Sequence, residues 1–285
     1  MSNPIDAKTV MTLREKSGAG LMECKRALTE TGGDLEAAID LLRKKGAGTA
    51  AKKADREAKD GVIAQVILPG AKVGVLVEIN CETDFVAKND SFRAFCDDVA
   101  KKIALNPAVD LEADRVAAVQ KIGENVVIRR QQRIEVGGHG LVAAYIHTGG
   151  KVGVLVEMTA EKEGTAAMED FKQLVRDITL QIAATPDTIC VSRDQVPAEL
   201  VAREREVYKG QVPPGKPANI VEKIIDGKMD KFYSERCLLD QAFIKDADKT
   251  ISQLIESHGK TLGEKLELKR FIRYMVGEEI AAGAA

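Results

Sequence analysis

The residues best equipped for catalysis are few and poorly spaced for it. There are three histidines, at 139, 147 and 258. His139 and His147 flank a strand-like run at a spacing that suits no metal-binding helix, and they read as surface or core residues. The five cysteines (24, 81, 96, 190, 237) contain no C-x-x-C pair. Their odd count and wide spacing argue for reduced thiols and against a zinc site or disulfide frame. Gly259-Lys260-Thr261 has the end of a phosphate loop, but the first glycine of G-x-x-x-x-G-K-T would fall at Leu254. No G-x-S-x-G and no spaced carboxylate set points to hydrolysis. The expectation is a non-enzyme with no cofactor, no metal and no direct nucleotide binding. What stands out is Asn80-Cys81-Glu82-Thr83-Asp84-Phe85-Val86, which packs a hydroxyl, carboxylates and an aromatic ring into one short run. Its plainest reading makes Thr83 or Asp84 a helix cap, with Phe85 packed beneath the helix.

The elements around this run repeat. Lys72-Val73-Gly74-Val75-Leu76-Val77-Glu78 recurs as Lys151-Val152-Gly153-Val154-Leu155-Val156-Glu157, an offset of 79 (151 − 72). The same offset pairs Gly61 with Gly140, Phe92 with Phe171, Ile103 with Ile182 and Pro107 with Pro186. Each copy reads strand, tight turn, strand, helix. Gly61 to Leu68 alternates, Pro69-Gly70 turns, and Val73 to Ile79 is β-branched and apolar. Phe92, Phe95, Val99 and Ile103 then follow at helical spacing. Asn106-Pro107 and Thr185-Pro186 end the two helices, since proline pushes the preceding residue out of the α region. Val126 to Ile134 adds another strand-like run. The repeat breaks where Thr83-Asp84-Phe85-Val86 faces Lys162-Glu163-Gly164-Thr165. Phe92 belongs to the shared scaffold because its counterpart is also phenylalanine, whereas the counterpart of Phe85 is Gly164.

Before the repeats, residues 1–46 read as three short helices. Ser17-Gly18-Ala19-Gly20 ends the first; Leu21, Cys24, Ala27 and Leu28 stripe the second; Gly32-Gly33 ends it. Asp34 caps the third, which carries Leu35, Ala38, Ile39 and Leu42 and closes at Gly46. Residues 47–60 are rich in Ala, Lys, Asp and Glu and read as a solvated helix or linker. Core repeat 1 spans 61–139 and core repeat 2 spans 140–285. Within the latter lie a helical hairpin at about 196–233, connected by Pro213-Pro214-Gly215-Lys216-Pro217, and a C-terminal module at about 250–285. The fold class is α+β: a three-helix module, a duplicated core of antiparallel sheet plus helices, a projecting helical hairpin and a C-terminal module.

Composition narrows the partners. The chain has 285 residues, a formal net charge of -2, 4% aromatics and no tryptophan. That argues against a stacking platform for single strands and against a phosphate-neutralising surface. The densest basic run, Lys44, Lys45, Lys52, Lys53 and Arg56, is interrupted by acids from Asp55 onward and reads as solvated. No stretch of about 18 apolar residues marks a membrane span, and no apolar signal core begins the chain, so a cytoplasmic location is expected.

The wording of two segments resembles a known family. Asn80-Cys81-Glu82-Thr83-Asp84-Phe85-Val86-Ala87-Lys88-Asn89 is similar to the central motif of translation elongation factor Ts. Leu13-Arg14-Glu15-Lys16-Ser17-Gly18-Ala19-Gly20-Leu21-Met22 resembles that family's N-terminal signature. Lys121-Ile122-Gly123-Glu124-Asn125-Val126, Arg129-Arg130, and Lys216 to Asp246 are similar as well. The usual Gly-Glu-Gly near the end stands here as Gly277-Glu278-Glu279. The resemblance implies a ubiquitin-associated-like first module that docks on the GTPase elongation factor Tu, through positions such as Leu13, Arg14, Gly18, Gly20 and Met22. It implies that Thr83, Asp84, Phe85 and Val86 enter near the magnesium and nucleotide site of that GTPase and promote GDP release. It also supports a projecting hairpin. The alternatives from other classes are a plain ubiquitin-associated-like scaffold or chaperone and an RNA-binding translation factor, with an enzyme ranked behind both.

Overall fold

The computed structural model describes residues 5–280. Residues 1–4 and 281–285, the ends of the first and last expected units, lie outside the described residues. Three helices open the chain: α1 (Ala7–Ser17), α2 (Leu21–Glu30) and α3 (Leu35–Lys53). Asp6 caps α1, and Gly18 ends it in the left-handed region at φ 67°. Asp34 caps α3 by accepting from the Ala37 N–H at 3.0 Å. The stripes close on Val10, Leu13, Cys24, Ala27, Leu28, Ala38 and Leu42.

Gly46 does not close the third helix, and of the two readings of residues 47–60 the helix holds as far as Lys53. α3 runs on to Lys53, with Ala50 buried in the first repeat's core. The extension packs on α6 (Glu112–Ile122), a helix the sequence patterning did not reveal. A Cβ at Gly46 would sit 2.7 Å from the Gln120 side chain and 3.4 Å from Val116. Gly46 thus permits close helix contact where a helix end was expected. Alanine and lysine are strong helix formers, so the segment stays helical once a neighbour covers one side.

The first repeat is β1 (Asp60–Ile67), β2 (Val73–Cys81), α4 (Asp84–Ala87), α5 (Asp90–Leu105), α6 and β3 (Val127–Glu135). The second is β4 (Gly140–Ile146), β5 (Val152–Ala160) and α7 (Glu169–Ala184), and later α10 (Ile251–Leu262) and β8 (Leu266–Met275). Between α7 and α10 come α8 (Ala198–Gly210), α9 (Ala218–Arg236) and the small ribbon β6 (Ala242–Phe243) and β7 (Asp246–Thr250). Each repeat forms an antiparallel three-stranded sheet, ordered β1-β2-β3 and β4-β5-β8. The C-terminal segment consists of α10 and β8, which complete the sheet and core of the second repeat. β8 stands to β5 as β3 stands to β2, down to a bulge after Glu78 in one and Glu157 in the other.

Strand alternation sorts the side chains into layers. Val75, Val77, Ile79 and Cys81 face α5 through Phe92, Cys96, Val99 and Ile103. Val154, Val156 and Met158 face α7 through Phe171, Leu174 and Ile178. The opposite sheet faces meet through Ile63, Leu76, Ile134, Val142 and Leu155. The order is helices, sheet, sheet, helices. The helical pair α8 and α9 packs through Leu200, Val201, Tyr208, Val221 and Ile225, and Arg205 bridges to Glu222 and Asp226 at 2.9 Å each. No residue of α8 is buried.

Candidate functional site

The run after β2 turns sharply into α4, a single turn of helix. Thr83 has extended φ/ψ of -128°/154°, and its hydroxyl accepts from the Val86 N–H at 3.3 Å. That settles which residue caps the helix. Ala87 is buried beneath the turn and Val86 is half-buried. Phe85 is not packed beneath it: its ring is 81% exposed. The packed reading of Phe85 is thereby overturned. The cap fixes Ala87 toward the core, and at about 100° per residue the ring two positions earlier points away from it.

Asp84 pairs with Lys88 at 2.7 Å. The hydrogen bond from Lys88 holds the Asp84 carboxyl below its ordinary value, so it is ionised at neutral pH. Cys81 lies under the turn, its thiol 3.2 Å from the Thr83 carbonyl. Burial pushes that thiol up to about 12, which makes it a poor nucleophile.

The base of the turn is held by residues from three elements. The Glu124 carboxylate, just past α6, accepts the backbone N–H of Glu82 and of Thr83, each at 3.0 Å, and the Thr83 hydroxyl at 2.7 Å. Glu82 reaches back, accepting the Asn125 N–H at 2.6 Å. The Asn125 amide donates to the carbonyls of Ala54 at 3.3 Å and Arg56 at 2.8 Å, just beyond α3. Arg56 pairs with Glu82 at 3.5 Å, and the Lys53 ammonium donates to the Gly123 carbonyl. The first module is thus tied to the foot of the Phe85 turn.

The expected docking residues divide. Arg14, Gly18, Gly20 and Met22 are exposed, Met22 at 64%. Leu13 is fully buried in the module's own core. It therefore supports the surface and cannot belong to it, a correction to the expected set. Met11 and Leu21, not singled out from sequence, are exposed apolar side chains on the same module. Gly259-Lys260-Thr261 lies inside α10, where a Cβ at Gly259 would sit 2.8 Å from the Glu264 carbonyl; it is a packing glycine.

These features can be set beside known proteins. The family model described as Elongation factor TS matches residues 82–278, which takes in the Phe85 turn, β3, the whole second sheet and the helical pair. The chain belongs to the elongation factor Ts family. It is 43% identical to the elongation factor Ts of Nostoc sp., covering 97% of this chain and 93% of that one. It is 44% identical to the elongation factor Ts of Symbiobacterium thermophilum, with the same coverages. It is 41% identical to that of Nitratidesulfovibrio vulgaris over 99% of both. Membership of the elongation factor Ts family places the chain in the elongation stage of protein biosynthesis. Among the described residues, no helix is long and apolar enough to cross a membrane.

The two residues that precede the departure at Glu279 have structural roles. The Gly277 N–H donates to Glu78 at 2.8 Å, and the Glu278 carboxylate takes Arg130 at 2.6 Å. Glu279 follows these contacts.

Proposed function

We infer that this chain is a guanine-nucleotide exchange factor. It binds GDP-bound elongation factor Tu in the cytoplasm, presents Phe85 to the magnesium and nucleotide site, and promotes GDP release so that GTP can bind. The observation that carries this reading is the exposed Phe85 ring on a capped single turn that the second repeat lacks. Large apolar side chains left in water at a rigid tip are natural anchors for a partner pocket.

The energetics limit what the tip does alone. Weakening a nucleotide by about four decades takes roughly 5.5 kcal/mol of coupling between the two ligands. Burying one phenylalanine supplies about 1.5–3 kcal/mol. Exchange therefore needs a wider grip. Arg14, Gly18, Gly20 and Met22 dock the first module on the GTPase, with the second repeat as a further hold. Thr83 and Val86 shape the tip. Asp84 brings an ionised carboxylate, which acts by competing for the magnesium ion or by repelling phosphate.

The test loads elongation factor Tu with a fluorescent GDP and follows its release with increasing amounts of this protein. Wild-type protein speeds release. Phe85→Ala lowers the maximal rate while the complex still forms. Release at the wild-type rate by Phe85→Ala would sink the wedge role.

A further inference from the structure

The holder of the Phe85 turn is built twice. In the second repeat, Glu264 accepts the Lys162 N–H at 2.8 Å and the Thr165 hydroxyl at 2.5 Å. Lys162 is Thr83 shifted by 79, and Glu264 is Glu124 shifted by 140 (264 − 124). The reciprocal contact recurs as well. Glu161, the counterpart of Glu82, accepts the Lys265 N–H at 3.3 Å, as Glu82 accepts that of Asn125. Two glutamates thus cross-brace the same corner in each copy.

Copy one departs from copy two in what the brace holds. Glu124 carries three donors, all on Glu82 and Thr83, so one carboxylate fixes the backbone direction and the cap of the turn that displays Phe85. Glu264 reaches the Lys162 N–H and then a hydroxyl three residues further along the chain, so its hold runs on past Gly164, which stands where the ring would be. Asn125 adds the tie to Ala54 and Arg56, whereas Lys265 stands in its place in copy two.

We propose that Glu124 is the positioning residue for nucleotide release: it sets the direction of the Phe85 turn and makes no contact with the partner itself. The inference rests on the exchange reading above. Charge-assisted hydrogen bonds to backbone N–H groups are short and directional, and three converging on one carboxylate leave the turn no alternative orientation. An untethered turn still displays a phenylalanine but samples many directions, so fewer encounters place the ring correctly.

The experiment measures the maximal rate of fluorescent-GDP release from elongation factor Tu, and separately the factor concentration giving half that rate. Glu124→Ala lowers the maximal rate by ~10-fold or more while the half-saturating concentration shifts by less than about twofold. Glu124→Gln, whose amide can accept the two N–H groups and donate to the Thr83 hydroxyl, recovers most of the rate. Glu264→Ala, the matched change in the other copy, keeps the wild-type maximal rate and controls for general loosening of the fold. The proposal is overturned if Glu124→Ala releases at the wild-type rate. It also fails if Glu264→Ala slows release equally, or if the loss appears wholly as a higher half-saturating concentration. Should Glu124→Ala fold poorly, Glu124→Gln against Glu124→Asp decides, since the shorter Asp cannot span the three donors and must release more slowly. Phe85→Ala is run alongside. If it slows release and Glu124→Ala does not, only the positioning role falls; if it does not, the wedge role of Phe85 falls first, and the exchange reading itself falls only if the wild-type protein fails to speed release.

Discussion

Gly74 and Gly153 hold equivalent places in the two sheets, and each is pressed against the side chains of the other sheet. A Cβ on Gly74 would lie 2.5 Å from Val142 and 3.0 Å from Leu155; one on Gly153 would lie 2.5 Å from Ile63 and 2.9 Å from Leu76. Lysines two residues before these glycines repeat the exchange. Lys72 donates to the Gly138 and Gly140 carbonyls at 2.7 and 2.9 Å, and Lys151 reaches Asp60 and the Gly61 carbonyl at 2.8 and 3.1 Å. The two copies are therefore halves of one pseudo-symmetric unit.

Gly74→Ala and Gly153→Ala should each destabilise the protein by about 1–3 kcal/mol, through overpacking between the sheets. Gly48 offers the contrast: it is exposed within α3 and nothing lies within 4 Å of its would-be Cβ. Gly48→Ala should stabilise by about 0.5–1 kcal/mol. Urea unfolding midpoints at constant slope measure both.

Phe85→Ala should leave stability within about 0.5 kcal/mol of wild type, because the ring is exposed. Phe92→Ala, at a fully buried position, should cost about 3–5 kcal/mol. Thermal denaturation of both variants separates the residue that displays from the residue that packs.

Glu78 predicts a specific acid sensitivity. It is fully buried between the sheets, paired with Arg129 at 3.0 Å and Arg130 at 2.7 Å. Burial raises its carboxyl pKa, but the Gly277 N–H, the Asn80 amide and the two arginines together pull it below the ordinary 4.5. A depressed folded value means the stabilisation is complete above about pH 5 and is lost as pH falls through that value. Glu78→Gln should lose about 2–4 kcal/mol at pH 7. The gap to wild type should shrink steadily on acidification below pH ~4.5, as seen in denaturant midpoints taken across pH.

The thiols should be quiet. All five cysteines are buried and free. Burial pushes Cys81 and Cys237 up to about 12, and it raises Cys96 and Cys190 as well. At pH 8 the native protein should react slowly with a chromogenic disulfide and release five equivalents of thiol only after denaturation. Rapid native reaction of two or more thiols would contradict this.

The sequence by itself determined the repeat, the helix stops at Asn106-Pro107 and Thr185-Pro186, and the family. Those features depend on local order: alternation, turn residues and a fixed offset of 79 survive being read one residue at a time. It also separated Phe92 from Phe85, because one has a phenylalanine partner and the other a glycine. Only the tertiary structure decided that Phe85 points into solvent, since a ring two positions after a cap suits either face until the core claims Ala87. Only it carried α3 past Gly46, because an alanine- and lysine-rich segment has no stripe and needs α6 to cover it. Glu124 was hidden for a topological reason. Its counterpart Glu264 lies 61 positions (140 − 79) beyond where the repeat offset would place it, because the helical pair and the β6–β7 ribbon intervene. The pairing exists because the chain returns after that excursion to add β8 beside β5, which restores the geometry of the first copy.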